Sequence, residues 1–385
     1  MNSLATSGDM ARIEGLFTPL KVGGITLPNR LAMSAMTREF ALGGVLDPPS
    51  ARYYGRRAEG GIGLIITEGV AVNPIGARTA TIPSLFGDEA IAAWRPAVEA
   101  VHAGGGKILA QLWHAGLGRV RPKAHLTDQP SVGPSMRYVD TEDGKTGLHG
   151  FEGGQALTEA QVEATIADFA SAAANAQSIG FDGIELHGGH GYLFDQFFWA
   201  KVNDRTDRFG GDLTARTRFA VEVVRAIRAV TTASFVIALR FSQWKLPNLW
   251  DETPLASPQE LEQFLAPLVD CGVDLFDCST RRYWDPAFAG SDLSLAGWTR
   301  KLTAKPTMTV GAVGLGGPLM GRAPAGLSSE TASLDTLLNM FEAGQFDIVG
   351  IGRALLANPE WGNMVRAGRL DALQPLTPAA MADLV

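Results

Sequence analysis

Eight short, mostly aliphatic runs recur along the chain, at residues 31–36, 63–68, 107–113, 183–187, 235–241, 273–278, 306–310 and 346–351. Each is followed by glycine or polar residues and then by apolar side chains at helical spacing. The runs are continuous and lack the strict alternation of a half-exposed strand, which suits parallel strands covered on both faces. Start and stop signals mark the helices between them. "LTEAQVEATIADFASAAANAQSIG" opens on Thr158 and stops near Gly180, and "SPQELEQFLAPLVDCG" sets Ser257 ahead of Pro258. "LTARTRFAVEVVRAIRAV" behaves alike. Eight strand–helix units in succession predict an α/β chain folded as a closed (β/α)8 TIM barrel rather than an open doubly wound sheet.

Two segments stand outside this rhythm. "LFTPLKVGGITLPNRL" reads as a two-stranded hairpin turning at Gly23 and Gly24, a lid for the barrel's N-terminal end. Residues 119–154 are polar, rich in glycine and proline, and without a clear period; they form a loop insertion after strand three and a candidate active-site lid. Residues 1–15 are expected to be a flexible N-terminus. With no strong linker, residues 1–385 are taken as a single domain.

Composition narrows the function. Lys and Arg number 33 against 40 Asp and Glu, a net charge of −7 that disfavours nonspecific nucleic-acid binding. Two cysteines, Cys271 and Cys278, are too few for a four-thiolate cluster or a disulfide framework and read as buried apolar fillers. No secretory leader and no long apolar span are visible, so a soluble cytoplasmic protein without a membrane partner is expected.

In such barrels chemistry gathers at the C-terminal ends of the strands. Those ends carry Thr37, Gly69, Gln111 with Trp113, His187 with His190 and Tyr192, Arg240, Cys278 with Arg281 and Arg282, Gly314, and Gly352 with Arg353. "TVGAVGLGG" and "VGIGRALLANPEW" end the last two strands in glycines, the second beside Arg353, a combination that suits a phosphate; ordinary βα turns with a solvated arginine are the plainer alternative. Arg240 closes "FVIALRF" and, as a charge at the rim of a buried strand, needs a partner, either a loop carboxylate or an electron-rich ring. His187 and His190, three apart, could begin a metal site, yet no HExxH-type motif surrounds them. A single strand-end histidine is most often a satisfied core residue. With Tyr192 on the same loop, two neutral imidazoles that donate N–H to an oxygen and a phenol that supplies a proton are favoured instead.

Taken together, "LFTPLKVGGITLPNRLAMSAMTR", "YYGRRAEGGIGLIITEG", "QLWHAG", "IELHGGHGYLFDQF", "NDRTDRFGGDLTARTRF", "LRFS" and "IVGIGRALLANPEW" resemble the old yellow enzymes, FMN-dependent ene-reductases built on a (β/α)8 barrel. The likeness spans residues 16–361, and the pairing of HGxHGYLxDQF with NxRTDxxGG is its most specific part. The resemblance implies non-covalent FMN, NADH or NADPH as reductant and a small activated alkene as substrate, in a monomer or homodimer. It implies that Ala35, Met36 and Thr37 approach the O4/N5 edge of the flavin, Gly69 and Gln111 its pyrimidine side, and Arg240 its N1 and C2 oxygen. Gly314, Gly352 and Arg353 would hold the phosphate. His187 and His190 would bind the carbonyl or nitro oxygen of the alkene, and Tyr192 would protonate its α-carbon. Trp113, Tyr283 and Trp284 are candidates for the substrate pocket.

Two departures stand out. Many members of the family have proline where Ala35 stands, which bears on local loop geometry alone, and one branch has cysteine where Thr37 stands, so threonine is expected to tune the flavin differently and removes a redox-sensitive thiol. A flavin protein of the same fold that acts as a dehydrogenase or sensor is the alternative. The dehydrogenase relatives carry an iron–sulfur cluster and further domains, for which this chain lacks the cysteines and the length. The His, His and Tyr set argues against a sensor, because flavin binding alone does not need those groups.

Overall fold

The computed structural model describes residues 7–119, 124–139, 148–150, 154–245, 255–315 and 331–384. Its centre is a closed barrel of eight parallel strands: β1 (Leu31–Met33), β2 (Leu64–Ala71), β3 (Lys107–Trp113), β4 (Gly183–His187), β5 (Val236–Ser242), β6 (Leu275–Ser279), β7 (Thr307–Val310) and β8 (Ile348–Ile351). Each pairs in parallel with the next, and β8 closes on β1. All eight sequence runs are therefore strands, with altered ends. The first is shorter than expected: Ser34 still donates to Ile351 O, and the backbone then leaves the ladder. The second is longer and carries a bulge between Ile66 and Gly69.

Helices α1 (Pro49–Glu59), α2 (Arg95–Ala103), α3 (Glu159–Ser178), α4 (Leu213–Val230), α5 (Pro258–Cys271), α6 (Leu295–Thr303) and α7 (Asp335–Glu342) follow the first seven strands. Two short helices, Ala354–Ala357 and Trp361–Arg366, follow β8. The start signals act as expected. Thr158 accepts from Gln161 N while the Gln161 side chain accepts from Thr158 N, a reciprocal cap worth about 1 kcal/mol. Ser257 caps α5 by accepting from Glu260 N, while the Glu260 side chain accepts from Ala256 N.

Inside the lower half of the barrel, Leu64, Leu109, Val236, Leu275, Met308 and Ile348 form one apolar cluster. The hairpin, Leu20–Val22 against Ile25–Leu27, adds Val22 and Leu27 to it and closes that end. Its turn lies so near the chain entering β5 that a Cβ on Gly24 would stand 2.2 Å from Ser234 Cα. Only glycine fits there.

Two segments expected to be irregular carry secondary structure. In the N-terminal segment Ser7–Glu14 is a helix, Ile13 is buried in the core, and Arg12 donates to Glu342 Oε1 at 2.9 Å. One buried isoleucine and an ion pair across the fold hold a segment whose own sequence is polar. The insertion after β3 is also not irregular throughout. Val132–Gly133 pairs in parallel with Gln155–Ala156, and Arg137–Val139 pairs antiparallel with Leu148–Gly150. Among the described residues, no helix is long and apolar enough to cross a membrane.

Candidate active site

A cavity of about 450 Å³ opens at the C-terminal ends of the strands. It brings together Ala35, Met36, Thr37, Gln111, Trp113, His187, His190, Tyr192, Arg240, Gly352 and Arg353. Four expected members fall elsewhere. Gly69 lies behind the Trp113 ring; a Cβ there would stand 2.3 Å from the indole, so the glycine lets Trp113 lie flat on β2. Gly314, Tyr283 and Trp284 line a smaller pocket of about 210 Å³ with Ser333 and Thr336. Tyr283 N donates to Gly311 O and its side chain is buried in the core, which carries both aromatics away from the cavity. Gly311, earlier in the same glycine-rich turn as Gly314, lines the main cavity instead. The described residues of the insertion, 119, 124–139, 148–150 and 154, do not line the cavity.

The histidine loop is tightly built. His187 ends β4 in register with Arg240 on β5, and Gly188 N donates to Arg240 O at 2.7 Å. The chain then turns so sharply that His190 adopts a φ of 64°, a conformation that costs a non-glycine residue energy and needs outside support. That support is visible on both sides. His190 N donates to Ser242 Oγ at 3.2 Å, and Gly191 N donates to Asp195 Oδ2 at 2.6 Å. Asp195 in turn is ion-paired with Lys245, both of them buried. The ring of His187 meets that of His190 edge-on at 5.1 Å and that of Tyr192 at 5.0 Å. Trp113 packs edge-on against Tyr192 at 4.8 Å, and Trp244 lies 4.3 Å from the His190 ring.

This packing fixes protonation. Burial, and then the charge of Arg240, hold both imidazoles well below the usual histidine range, so each is neutral at pH 7 with one N–H to donate. Burial pushes the Tyr192 phenol up, and it stays protonated. His190 Nε2 is 2.9 Å from Ser279 Oγ, and Ser279 Oγ accepts from Arg240 Nη2 at 3.2 Å.

Across the cavity Arg240 donates to Ala35 O at 3.3 Å, and Gln111 Nε2 donates to Glu185 Oε1 at 2.7 Å. The bulge in β2 helps set this edge, since Thr67 Oγ1 accepts from Gln111 N. The far wall is Gly311, Gly350, Gly352 and a half-buried Arg353. Sequence reasoning missed Ser34, Arg38, Trp244, Ser279, Thr280 and Met381, all of which line the cavity. Met381 belongs to a short C-terminal helix, Pro378–Ala382, held by Arg38 Nη2 donating to the carbonyls of Met381 and Asp383. Only an arginine immediately after Thr37 hinted at that link. Among the described residues, no group of three or more His, Cys, Asp or Glu could hold a metal ion.

Residues 15–315 match the family model described as NADH:flavin oxidoreductase / NADH oxidase. The chain is 37% identical over 237 residues to 12-oxophytodienoate reductase 7 of Oryza sativa subsp. japonica, covering 59% of this chain and 58% of the relative. It is 39% identical over 234 residues to a chanoclavine-I aldehyde reductase of Penicillium roqueforti, covering 60% of each. The alignments thus span less than two thirds of these curated relatives. A solved structure of morphinone reductase in complex with tetrahydroNAD superposes with a TM-score of 0.78 at 28% identity, over 95% of this chain and 94% of that one. By these matches and by its barrel, the chain belongs to the NADH:flavin oxidoreductase / NADH oxidase family.

Proposed function

We propose that this chain is an FMN-dependent ene-reductase that uses NADH or NADPH to reduce an electron-poor C=C bond. The observation that carries the reading is one wall of the cavity, where His187, His190 and Tyr192 converge in the neutral, proton-bearing forms that burial enforces. The relatives' names fit it. Two are reductases of an oxophytodienoate and an aldehyde, and the morphinone reductase complex holds a nicotinamide analogue.

The residues present fit FMN. A cavity of about 450 Å³ lies in the size range of cofactor sites. Ser34 Oγ, Trp113 Nε1 and His187 Nδ1 belong to lining residues and are buried with no hydrogen-bond partner among the described residues. Buried polar atoms of that kind ask for a ligand or water. In this reading Ala35, Met36, Thr37 and Gln111 meet the ring, Arg240 faces its pyrimidine end, and Gly311, Gly352 and Arg353 take the phosphate. FMN bound here would supply the hydride relay between the nicotinamide and the β-carbon of the alkene.

The chain's own groups do the rest. His187 and His190 each donate an N–H to the carbonyl or nitro oxygen of the alkene, where negative charge grows as hydride arrives. Such donors are worth about 3–4 kcal/mol each in the transition state. Tyr192, held by Trp113 and His187, delivers its hydroxyl proton to the α-carbon. Arg240, a fixed cation lining the cavity, would favour the electron-rich state of a ring held beside it.

The test is direct. The protein is purified, loaded with FMN and reduced without oxygen by NADH or NADPH. 2-Cyclohexenone, N-methylmaleimide and a nitroalkene are then added separately, and flavin absorbance and product are followed. Rapid reoxidation with formation of the saturated product is expected from at least one of them. A bleached protein that none of them reoxidises contradicts the proposal.

A further inference from the structure

Beneath the cavity floor, four adjacent strands place polar side chains where the barrel interior is otherwise apolar. Glu185 on β4 and Asp277 on β6 are completely buried, at 0% exposure. Gln111 on β3 stands in register with Glu185, and Arg240 on β5 stands in register with Asp277. Gln111 Nε2 donates to Glu185 Oε1 at 2.7 Å, and Arg240 Nε lies 3.4 Å from Asp277 Oδ2. The order around the barrel is therefore amide, carboxyl, guanidinium, carboxyl. The reaction proposed above uses the amide and the guanidinium but neither carboxyl.

One cation cannot balance two buried carboxylates, and a second uncompensated charge in this layer is strongly disfavoured. The proton that resolves the imbalance belongs on Glu185. Burial, and next the charge of Asp277, push the Glu185 carboxyl well up. The Asp277 carboxyl is also pushed up by burial, with Arg240 opposing. In this state Glu185 is neutral, and its Oε1 commits one amide N–H of Gln111, which fixes the plane of that amide at the cavity edge. Asp277 stays ionised: the Arg240 guanidinium lies 3.4 Å from Oδ2 on one side, and the Glu185 carboxyl hydrogen-bonds to it on the other, so its charge is shared between the cation and the acid proton.

We propose that Asp277 is the fixed counter-charge that moderates Arg240, and that Glu185, kept in its acid form, anchors Gln111. The two carboxyls are positioning residues. Asp277 sets how strongly the protein favours the reduced state of the ring that Arg240 faces, and Glu185 sets the plane of the Gln111 amide. The proposal rests on the FMN reading, and it separates two carboxyls that look alike: one tunes by charge, the other by orientation.

The test uses the FMN-loaded protein, with Asp277→Asn and Glu185→Gln. The flavin midpoint potential and the dissociation constant of sulfite, an anion that adds to electron-poor flavins, are measured for each. Unmasking Arg240 in Asp277→Asn should raise the potential and tighten sulfite binding by about tenfold or more. Glu185→Gln exchanges a neutral acid for a neutral amide and should leave both values as in the parent. An unchanged sulfite constant in Asp277→Asn, or an equal shift in the two variants, overturns the proposal. An infrared measurement stands apart from the flavin and from the folding of Asp277→Asn. The parent at pH 7 should show the C=O stretch of a buried carboxylic acid that Glu185→Gln lacks. Its absence from the parent refutes a protonated Glu185, whereas failure to hold FMN at all refutes the functional reading instead.

Discussion

The two halves of the barrel are made from the same strands and do opposite things. On β3 the inward row runs from Leu109 to Gln111 and Trp113, on β5 from Val236 and Ala238 to Arg240, and on β6 from Leu275 to Asp277 and Ser279. Within two residues a side chain that gains by leaving water is followed by one that loses by it. The lower half recovers its burial as stability and is closed by the hairpin. The upper half holds neutral histidines, a protonated phenol and a guanidinium whose buried counter-charge is Asp277. In such barrels this division puts stability at the strand starts and chemistry at the strand ends. A site is thus built where the fold can least gain from it.

Cutting into the lower half should produce the largest change in stability. Leu109→Ala is expected to cost about 2–5 kcal/mol in urea unfolding, because Leu109 is fully buried in the apolar cluster. Reoxidation of the folded fraction by enone should remain as in the parent, and a lost activity at full folding would erase the contrast between the halves. The upper half should answer in the reverse sense. Tyr192→Phe is expected to slow turnover by about 10²-fold or more while stability changes by less than about 1 kcal/mol. Stopped-flow reoxidation beside a thermal melt separates the two effects.

A smaller effect comes from pH. His187 and His190 are neutral when folded and titrate near 6.5 when unfolded, so their contribution to stability is complete above about pH 6.5 and is lost as pH falls below it. Glu68, pushed up to about 7 by burial, works the other way: its contribution is complete below the unfolded carboxylate range and is lost as pH rises towards 7. The parent must therefore be compared with His187→Phe, which keeps Glu68. Between pH 7 and 5 the variant should lose less stability than the parent, and equal losses would show that His187 is not held neutral. The smallest effect belongs to neither half. Arg208, partly exposed on the outer layer, meets Glu159, Glu163 and Glu222 at 2.6–2.9 Å. Arg208→Ala should cost less than about 1 kcal/mol, and less still in high salt.

The barrel was legible because buried parallel strands leave continuous apolar runs and because Thr158 and Ser257 cap their helices in the expected way. The cavity's histidines, Tyr192, Gln111 and Arg240 were legible because each lies in or just after the C-terminal end of a strand. What escaped depends on where loops and termini go after the strands end. Trp244 reaches His190 from the turn after β5, and Met381 arrives through a bond from Arg38 more than 300 residues away in sequence. Tyr283 and Trp284 stand near a strand end in sequence, yet the turn at Gly311 draws them into a neighbouring pocket. Gly69 and Gly314 were read as ligand contacts; Gly69 serves the packing of Trp113, and Gly314 lines the second pocket. Strand periodicity says which residues reach the rim, not which of them turn inward.

The claim that the rim binds an alkene's oxygen through two neutral imidazoles is tested most directly by splitting the reaction. His187→Ala/His190→Ala, loaded with FMN, is first reduced by NADH or NADPH and then mixed with 2-cyclohexenone under single-turnover conditions. The variant should still bind FMN, with reoxidation slowed by about 10³-fold or more because two donors are gone. Reoxidation at the parental rate would contradict the account.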